Sequence, residues 1–596
     1  MALSALDYSI IVIYLVSTIA LGLYIGRKMK SGDDYFLAGR SLPWWAIGMS
    51  LVVTDIGATD MIAIAGSAYL YGIVMGNYDW LGSVPVMIIG AFLIIPIFWK
   101  AKVTTIPEWL GKRYNGAVRT TSALIWGVYL SMGLGITLYI TALALNVFLD
   151  LQPKILIVSE TQAEFQSVVD ATGAGKTHDF KQATTASEAA ESIALHEPNL
   201  ILIHTELAGA ATMPETGDYP TVVYTVDEIS EEWAVTVMEE ARPGKWNLLY
   251  TVAIVGIIVG GYTLLGGLKA VVYTDALQCV VMLGGSLFVL AFGIANLGGV
   301  GDFVDAIKQM APKAQNHFEL ILPADDASPH IWSGIFLGLG LVLANAYWLG
   351  NQTIVQRTLG AKSVQDARAS YVLGSLLKVL IPFAMVVPGI VALATIPDIT
   401  DSDKAMAMLV KEIMPSGMLG IFFAAFLAGL MSSVDSALNS SATIWTKDIY
   451  QRYFKPDGDP LHFLVVGRIL TVILVFVAMG FAILASKADS IYEYTQTLLS
   501  VFQGPSLAII LIGVLWKRAT GAGALAGLIG GVSFSLLLMW ANKYATNKIF
   551  QIEDPFLYVA WWSFVVAVVL TIVGSLMSKP MSEERLEGLT YIRDKG

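Results

Sequence analysis

Apolar runs of about 20 residues recur along almost the whole chain, separated by short breaks that carry charge, glycine or proline. Thirteen such runs fall at about 5–26, 45–71, 79–99, 117–150, 246–266, 270–297, 331–357, 365–395, 417–450, 462–485, 490–516, 521–541 and 555–578. Each is long enough to cross a hydrocarbon core of roughly 30 Å as a helix. The pattern predicts an all-α polytopic membrane protein of about thirteen spans. One stretch interrupts it. Residues 151–245 are polar and acidic, and short β-rich runs alternate there with helical patterns: KILIVS (154–159), a helix at 161–172, another at 187–196, NLILIH (199–204), TVVYTV (221–226) and a closing helix at 227–241. Strand and helix in alternation predict a small inserted α/β sheet. The expected organisation is four spans in 1–150, the insert at 151–245, nine spans in 246–578 and a tail at 579–596.

Composition agrees and narrows the classes. Of 596 residues, 56% are hydrophobic and 14% charged, against about 25% charged in a soluble globular chain, which argues against a cytosolic enzyme. A net charge of −11 argues against nucleic acid, whose phosphates attract clustered Lys and Arg. A single cysteine, Cys279, can build neither a disulfide framework nor a multi-cysteine metal site. The first apolar run is too long for a signal-peptide core and has its positive cluster after it, so it reads as a span.

Basic residues favour alternate loops. One set holds Arg27, Lys28, Lys30 and Arg40, then Lys100, Lys102, Lys112 and Arg113, then Arg357, Lys362 and Arg368, then Lys447, Arg452 and Lys455, then Lys517 and Arg518; the opposite set holds little beyond Lys308, Lys313, Lys404, Lys411, Lys487, Lys543 and Lys548. The positive-inside rule places the N-terminus outside and the tail, with Arg585, Arg593 and Lys595, in the cytoplasm. The expected location is the plasma membrane, in a bacterium the inner one, with the insert outside.

Ionisable groups inside spans are expensive, so each is a candidate for function. Asp55 and Asp60 lie in LVVTDIGATDMIAIAGS, where Gly57 and polar residues interrupt the second span, and an unwound turn there would free backbone carbonyls for a cation. ANAYWLGNQ (344–352) makes a similar interruption in the seventh. Two interrupted helices five spans apart are the mark of an inverted-repeat transporter with a site at the midplane; the plainer alternative is two flexible helices. In the ninth span Gly429, Ser432, Ser433 and Ser436 share one helical face, with Asp435 and Asn439 beside it. Hydroxyls and carbonyls are hard ligands suited to Na⁺, although small residues also line tight helix packing in membranes. Asp275 and Lys378 complete the set, as a possible cap and a possible ion-pair partner.

At these positions the chain resembles the sodium/solute symporter family, most closely its sodium/sugar branch. The resemblance covers essentially all of the chain outside 151–245 and rests on DDYFLAGRSLPWWAIGMS (33–50), TIPEWLGKRYN (105–115), GGLKAVVYTDALQ (266–278), QRTLGAKS (356–363), MSSVDSALNSSATIWTKDIY (431–450) and GVLWKRAT (513–520). It implies a leucine-transporter-like core of two inverted five-helix repeats, at about 45–297 and 331–516, with one span before and two after. It also implies a main Na⁺ site on the carbonyls of Val53, Ile56 and Gly429 and the hydroxyls of Ser432 and Ser433, and a possible second at Asp275, Asp435 and Ser436. Asp435 stands where a hydroxyl residue is common. Substrate contacts carried over from the branch are Asp55, Asp60, Asp79, Tyr347, Asn351, Lys378 and Gln496. Their chemistry suits a polyol: carboxylates accept from hydroxyl pairs, Gln donates and accepts, and an aromatic face covers the ring. Asp55 stands where Asn is usual, Asp60 where an amide or imidazole is usual, Asp79 where Glu is usual and Gly82 where a small hydroxyl is found.

The implied activity is sodium-coupled symport of a neutral sugar or polyol, hexose or inositol, by alternating access in the lipid bilayer, with Na⁺ as the co-transported ion and no enzymatic step. Two alternatives are symport of an amino acid or other zwitterion, held by Asp55 or Asp60, and a solute sensor signalling through the insert. Deleting 152–244 separates the sensor from a transporter. The spacing of ILIVSE and PNLILIH resembles a response-regulator receiver domain. His204 stands where that family has its phosphoacceptor Asp, and the acidic pair after the first strand is reduced to Ser159 and Glu160, which argues against phosphorylation. GAGK (173–176) lacks the spacing and following Ser/Thr of a phosphate loop and reads as an ordinary loop.

Overall fold

The computed structural model describes residues 4–27, 31–148, 154–159, 161–172, 179–185, 188–189, 192, 200–204, 221–224, 248–310, 314–326, 328–397, 399, 402–415, 417–485, 491–544 and 555–591. The chain divides into two compact units, one made of 1–141 and 255–596 and the other of 142–254.

The first unit is helical. In a bilayer every backbone N–H and C=O needs a partner within the protein, and a helix supplies most of them locally. The apolar runs accordingly appear as long helices, among them Ala5–Gly26, Leu419–Ile444, Pro460–Ala485, Ile491–Leu515, Gly521–Tyr544 and Phe556–Leu576. Ser4 starts the first helix as a capping box with Asp7, and the buried Asp7 carboxylate also accepts the Gly417 and Gly420 N–H groups at the head of the ninth span, at 3.1 and 2.6 Å. Leu248–Asn296 covers the fifth and sixth spans, and Gly267 at φ 50° breaks it between them. Small residues let spans approach closely. A Cβ on Gly389 of the eighth span would lie 2.2 Å from the Ala65 carbonyl oxygen of the second.

Two spans are broken. Trp44–Asp55 and the helix resuming at Asp60 meet at 55°, and Gly334–Gly350 meets Gln352–Leu359 at 46°. Among the described residues, nine helices are long and apolar enough to cross a membrane, and eleven when each bent pair is one span. The two breaks open the two halves of a leucine-transporter-like inverted repeat.

Two residues counted above as loop charge are buried in this bundle. Arg113 donates to the carbonyls of Gly513, Trp516 and Ala519 at 2.7, 2.9 and 3.1 Å. Arg357 sits in the helix Gln352–Leu359 with 0% exposure. Neither belongs in a count of exposed positive charge.

The second unit holds a four-stranded parallel sheet of β1 (Lys154–Val158), β2 (Asp179–Ala183), β3 (Leu200–His204) and β4 (Thr221–Tyr224), in the order β2-β1-β3-β4. This is the beginning of the 2-1-3-4-5 order of doubly wound sheets. The helix Gln162–Thr172 follows β1. Ile155, Ile157, Leu200 and Leu202 form one buried face with Phe165 and Val168. The polar edge strand β2, DFKQA, gave no signal in the sequence because its side chains lack the apolar run that marks a buried strand. His204 ends β3 with its ring edge-on to Tyr224 at 5.6 Å. The GAGK loop, Glu160, Asn199, 225–226 and the helix expected at 227–241 lie outside the described residues, as do Lys28, Lys30, Lys313, Lys487, Lys548, Arg593 and Lys595 of the charge count. Of the expected helix at 187–196, Glu188, Ala189 and Ser192 are described.

Candidate functional site

The break in the second span follows from its residues. The helix ends at Asp55, Ile56 leaves it at φ −94°, ψ 86°, and Gly57 is extended at φ −80°, ψ 179°. In an unbroken helix the Gly57 N–H would close on Val53 O; it donates to Asp60 Oδ2 at 3.0 Å instead. The Asp60 N–H, which would close on Ile56 O, donates to Gly57 O at 3.1 Å. The Val53 and Ile56 carbonyls thereby lose their ordinary helical donors.

The ninth span lies against this break. A Cβ built on Gly429 would stand 3.1 Å from Ile56 O, one on Gly57 would stand 2.6 Å from Ser433 Oγ, and Ser433 Oγ donates to Thr54 O at 3.3 Å. Ser432 is buried beside Thr54, with hydroxyls 3.4 Å apart. Glycine at 57 and 429 permits the approach, and the result is a group of carbonyl and hydroxyl oxygens shared by two spans.

The second break places the opposite wall. Asn351, at φ −76°, ψ 124°, separates the two halves of the seventh span and caps the second half through Oδ1, which accepts from Thr353 N–H at 3.0 Å and Thr353 Oγ1–H at 2.7 Å. Tyr347 stands one turn before it.

All seven expected substrate residues, Asp55, Asp60, Asp79, Tyr347, Asn351, Lys378 and Gln496, line one cavity of about 230 Å³. Ile56 and Ser433 open into it as well. Lys378, 2% exposed, donates to Asp79 Oδ1 at 2.5 Å, pairs with Asp55 Oδ2 and sits 5.7 Å from the centre of the Trp348 ring. A lone lysine in this place would be prohibitively costly; two carboxylates and an aromatic face make it tenable.

The three residues of the second ion site implied by the resemblance, Asp275, Asp435 and Ser436, are buried and do not line this cavity. Asp275 Oδ2 accepts from Ser50 Oγ at 2.5 Å and from Arg357 Nη2 at 3.2 Å. Arg357 also donates to Ser50 at 2.6 Å and to Ser436, and Ser436 donates to Asp435 Oδ1 at 3.1 Å. Asp275 and Ser436 thus share the guanidinium of Arg357, a residue whose place beside an apolar run reads as loop charge.

Gln503 was not anticipated. It lines the same cavity, is 1% exposed, and its Nε2 finds no hydrogen-bond partner among the described residues. An amide in the otherwise apolar stretch of the eleventh span was the available signal. Tyr129 and Trp348 also line the cavity, and as aromatic residues in apolar runs they were indistinguishable from core.

The chain is similar to known proteins over nearly its whole length. A sodium/glucose cotransporter of Vibrio parahaemolyticus is 27% identical over 99% of this chain and 93% of that protein. Sodium/glucose cotransporter 4 of Homo sapiens is 28% identical over 99% of this chain and 78% of that protein. A Na⁺-coupled sialic acid symporter, solved in a substrate-bound outward-open state, has the same fold with a TM-score of 0.70 at 17% identity, covering 97% of this chain and 99% of that one. The model of the sodium:solute symporter family matches residues 35–159 and 242–531. With its two broken helices and the oxygen-lined contact between the second and ninth spans, this chain belongs to the sodium:solute symporter family.

Proposed function

We propose that this chain carries a sugar or polyol of the hexose or inositol class into the cell together with Na⁺. The observation that carries the reading is the single cavity on which the seven polar and aromatic residues converge, sharing Ile56 and Ser433 with the oxygen group at the helix break. Sodium binds the carbonyls of Val53, Ile56 and Gly429 and the hydroxyls of Ser432 and Ser433, fastening the second span to the ninth. That contact favours the outward-open state, to the extent that Na⁺ binds it better than the other. The sugar then enters over Tyr347, with Gln496 and the carboxylates on its hydroxyls, and inward opening releases both. One charge moving through 100 mV supplies about 2.3 kcal/mol, roughly 40-fold accumulation before any Na⁺ gradient is counted. No covalent bond changes. The distribution of exposed basic residues supports a plasma-membrane orientation with the N-terminus outside and the tail in the cytoplasm.

The lysine supports a substrate without a carboxylate, since both of its strong contacts are already made within the protein. The testing experiment is uptake of labelled glucose, galactose, myo-inositol, proline and sialic acid into proteoliposomes with and without an inward Na⁺ gradient. Concentrative uptake of a sugar or inositol only with Na⁺ is expected. Uptake of proline alone would overturn the substrate class.

A further inference from the structure

The charges around the cavity do not balance with a neutral sugar in place. Its lining carries three carboxylates, Asp55, Asp60 and Asp79, and one ammonium, Lys378. Lys378 is claimed by Asp55 and Asp79. Among the described residues Asp60 Oδ2 accepts from the Gly57 N–H at 3.0 Å, and no salt bridge reaches its carboxylate, which lines the cavity. Sodium at the helix break contributes one positive charge. With Asp60 ionised, the loaded cavity then still holds one negative charge in excess, which is expensive in a half-buried site unless a proton or a second cation offsets it. A positive group on the substrate supplies that offset without a proton on Asp60.

An independent observation indicates what else the substrate carries. Gln503 presents an unpartnered Nε2 donor on the same cavity, and a buried donor left unsatisfied costs about 1–3 kcal/mol. It calls for an acceptor oxygen, which a ring hydroxyl supplies. A zwitterion meets the first requirement and fails elsewhere, because its carboxylate would have to take Lys378 from two partners.

Resting on the sugar-symport reading above, we infer that the preferred substrate is an aminated sugar or aminocyclitol, with its ammonium on Asp60 and a ring hydroxyl accepting from Gln503. A charge-assisted hydrogen bond made by that ammonium and absent from the neutral sugar corresponds to about tenfold or more in affinity.

The test uses the full chain in proteoliposomes under an inward Na⁺ gradient, below the ordinary amine pKa of about 8, with D-glucosamine, D-glucose, 2-deoxyglucose and N-acetylglucosamine. The expected result is half-saturation by glucosamine at a concentration at least about tenfold lower than by the three neutral sugars, with one more charge carried inward per molecule of glucosamine than per molecule of glucose. Asp60→Asn is expected to abolish that preference. Equal or better transport of the neutral sugars by the unmodified protein overturns the inference while sugar symport stands. Transport of none of the four also overturns the inference, and sugar symport itself falls only where galactose and myo-inositol are not carried either. The comparison among sugars is decided in the unmodified chain, so it holds even where Asp60→Asn fails to insert.

Discussion

Lys378 Nζ lies 2.5 Å from Asp79 Oδ1, 299 positions away along the chain, and the same nitrogen pairs with Asp55 Oδ2. The three side chains join the second span, the short helix Asn77–Trp80 and the eighth span around the cavity.

Replacing that lysine leaves the buried Asp79 carboxylate beside that of the partly exposed Asp55. Lys378→Gln is expected to cost about 3–5 kcal/mol and to abolish uptake, read as a lower melting temperature in detergent and a flat uptake trace in proteoliposomes. Adding Asp55→Asn and Asp79→Asn to Lys378→Gln removes the repulsion, so the triple variant should regain most of the lost stability without regaining transport. Failure of the triple variant to melt higher than the single one would contradict the charge argument.

Ser433 contributes its hydroxyl where the second and ninth spans meet. Ser433→Ala should raise the Na⁺ concentration for half-maximal uptake about tenfold or more, the loss of one ligand to a charged ion being worth about 1.5–3 kcal/mol. At saturating Na⁺ the substrate affinity should change much less, because the two ligands are linked through the shared conformational equilibrium. Titrating sodium at fixed substrate and substrate at fixed sodium separates the two.

Arg113 holds the C-terminal end of the eleventh span through three carbonyls. Arg113→Met strips the donors from acceptors that have no water to turn to, and should destabilise by about 3 kcal/mol or more. Arg113→Lys restores the charge but not the fork of donors, so it should recover only part. Melting temperatures of the two variants in detergent check the order.

His330 lies just before the seventh span, with Nδ1 3.3 Å from the Tyr78 hydroxyl and its ring edge-on to Tyr71 at 5.0 Å. Burial pushes its pKa down from the ordinary 6.5 to about 4. The unfolded chain therefore binds a proton that the folded chain refuses between these values. Stability is full above pH 6.5 and falls as pH drops from 6.5 toward 4, by linkage. His330→Phe should flatten that part of the melting-temperature profile; an unchanged slope would assign the acid sensitivity to other groups.

Chain-local physics made the spans legible. A bilayer demands about 20 apolar residues and internally satisfied backbone groups, and both requirements are written in consecutive positions. Gly57 and the Gly350–Asn351 pair betrayed the two breaks, because glycine and a capping amide are needed where a helix stops and restarts. The serine stripe was legible for the same reason, since a helical period places Ser432, Ser433 and Ser436 on one face.

Partnership across the fold was decided elsewhere. The sequence names Lys378, Asp55 and Asp79 as separate costly residues, and only tertiary packing makes them one ion cluster. It shows Arg357 and Arg113 beside apolar runs, where they read as loop charge; folding buries both against carbonyls, hydroxyls or a carboxylate contributed by distant spans. It shows Gln503 only as an amide in an apolar stretch, and the eleventh span turns that amide into the cavity. The sequence by itself determined which segments are helical and where they break, because those depend on neighbours within a turn or two. The tertiary structure alone decided which charges neutralise one another and which donor is left over, because such energies depend on distances between residues hundreds of positions apart.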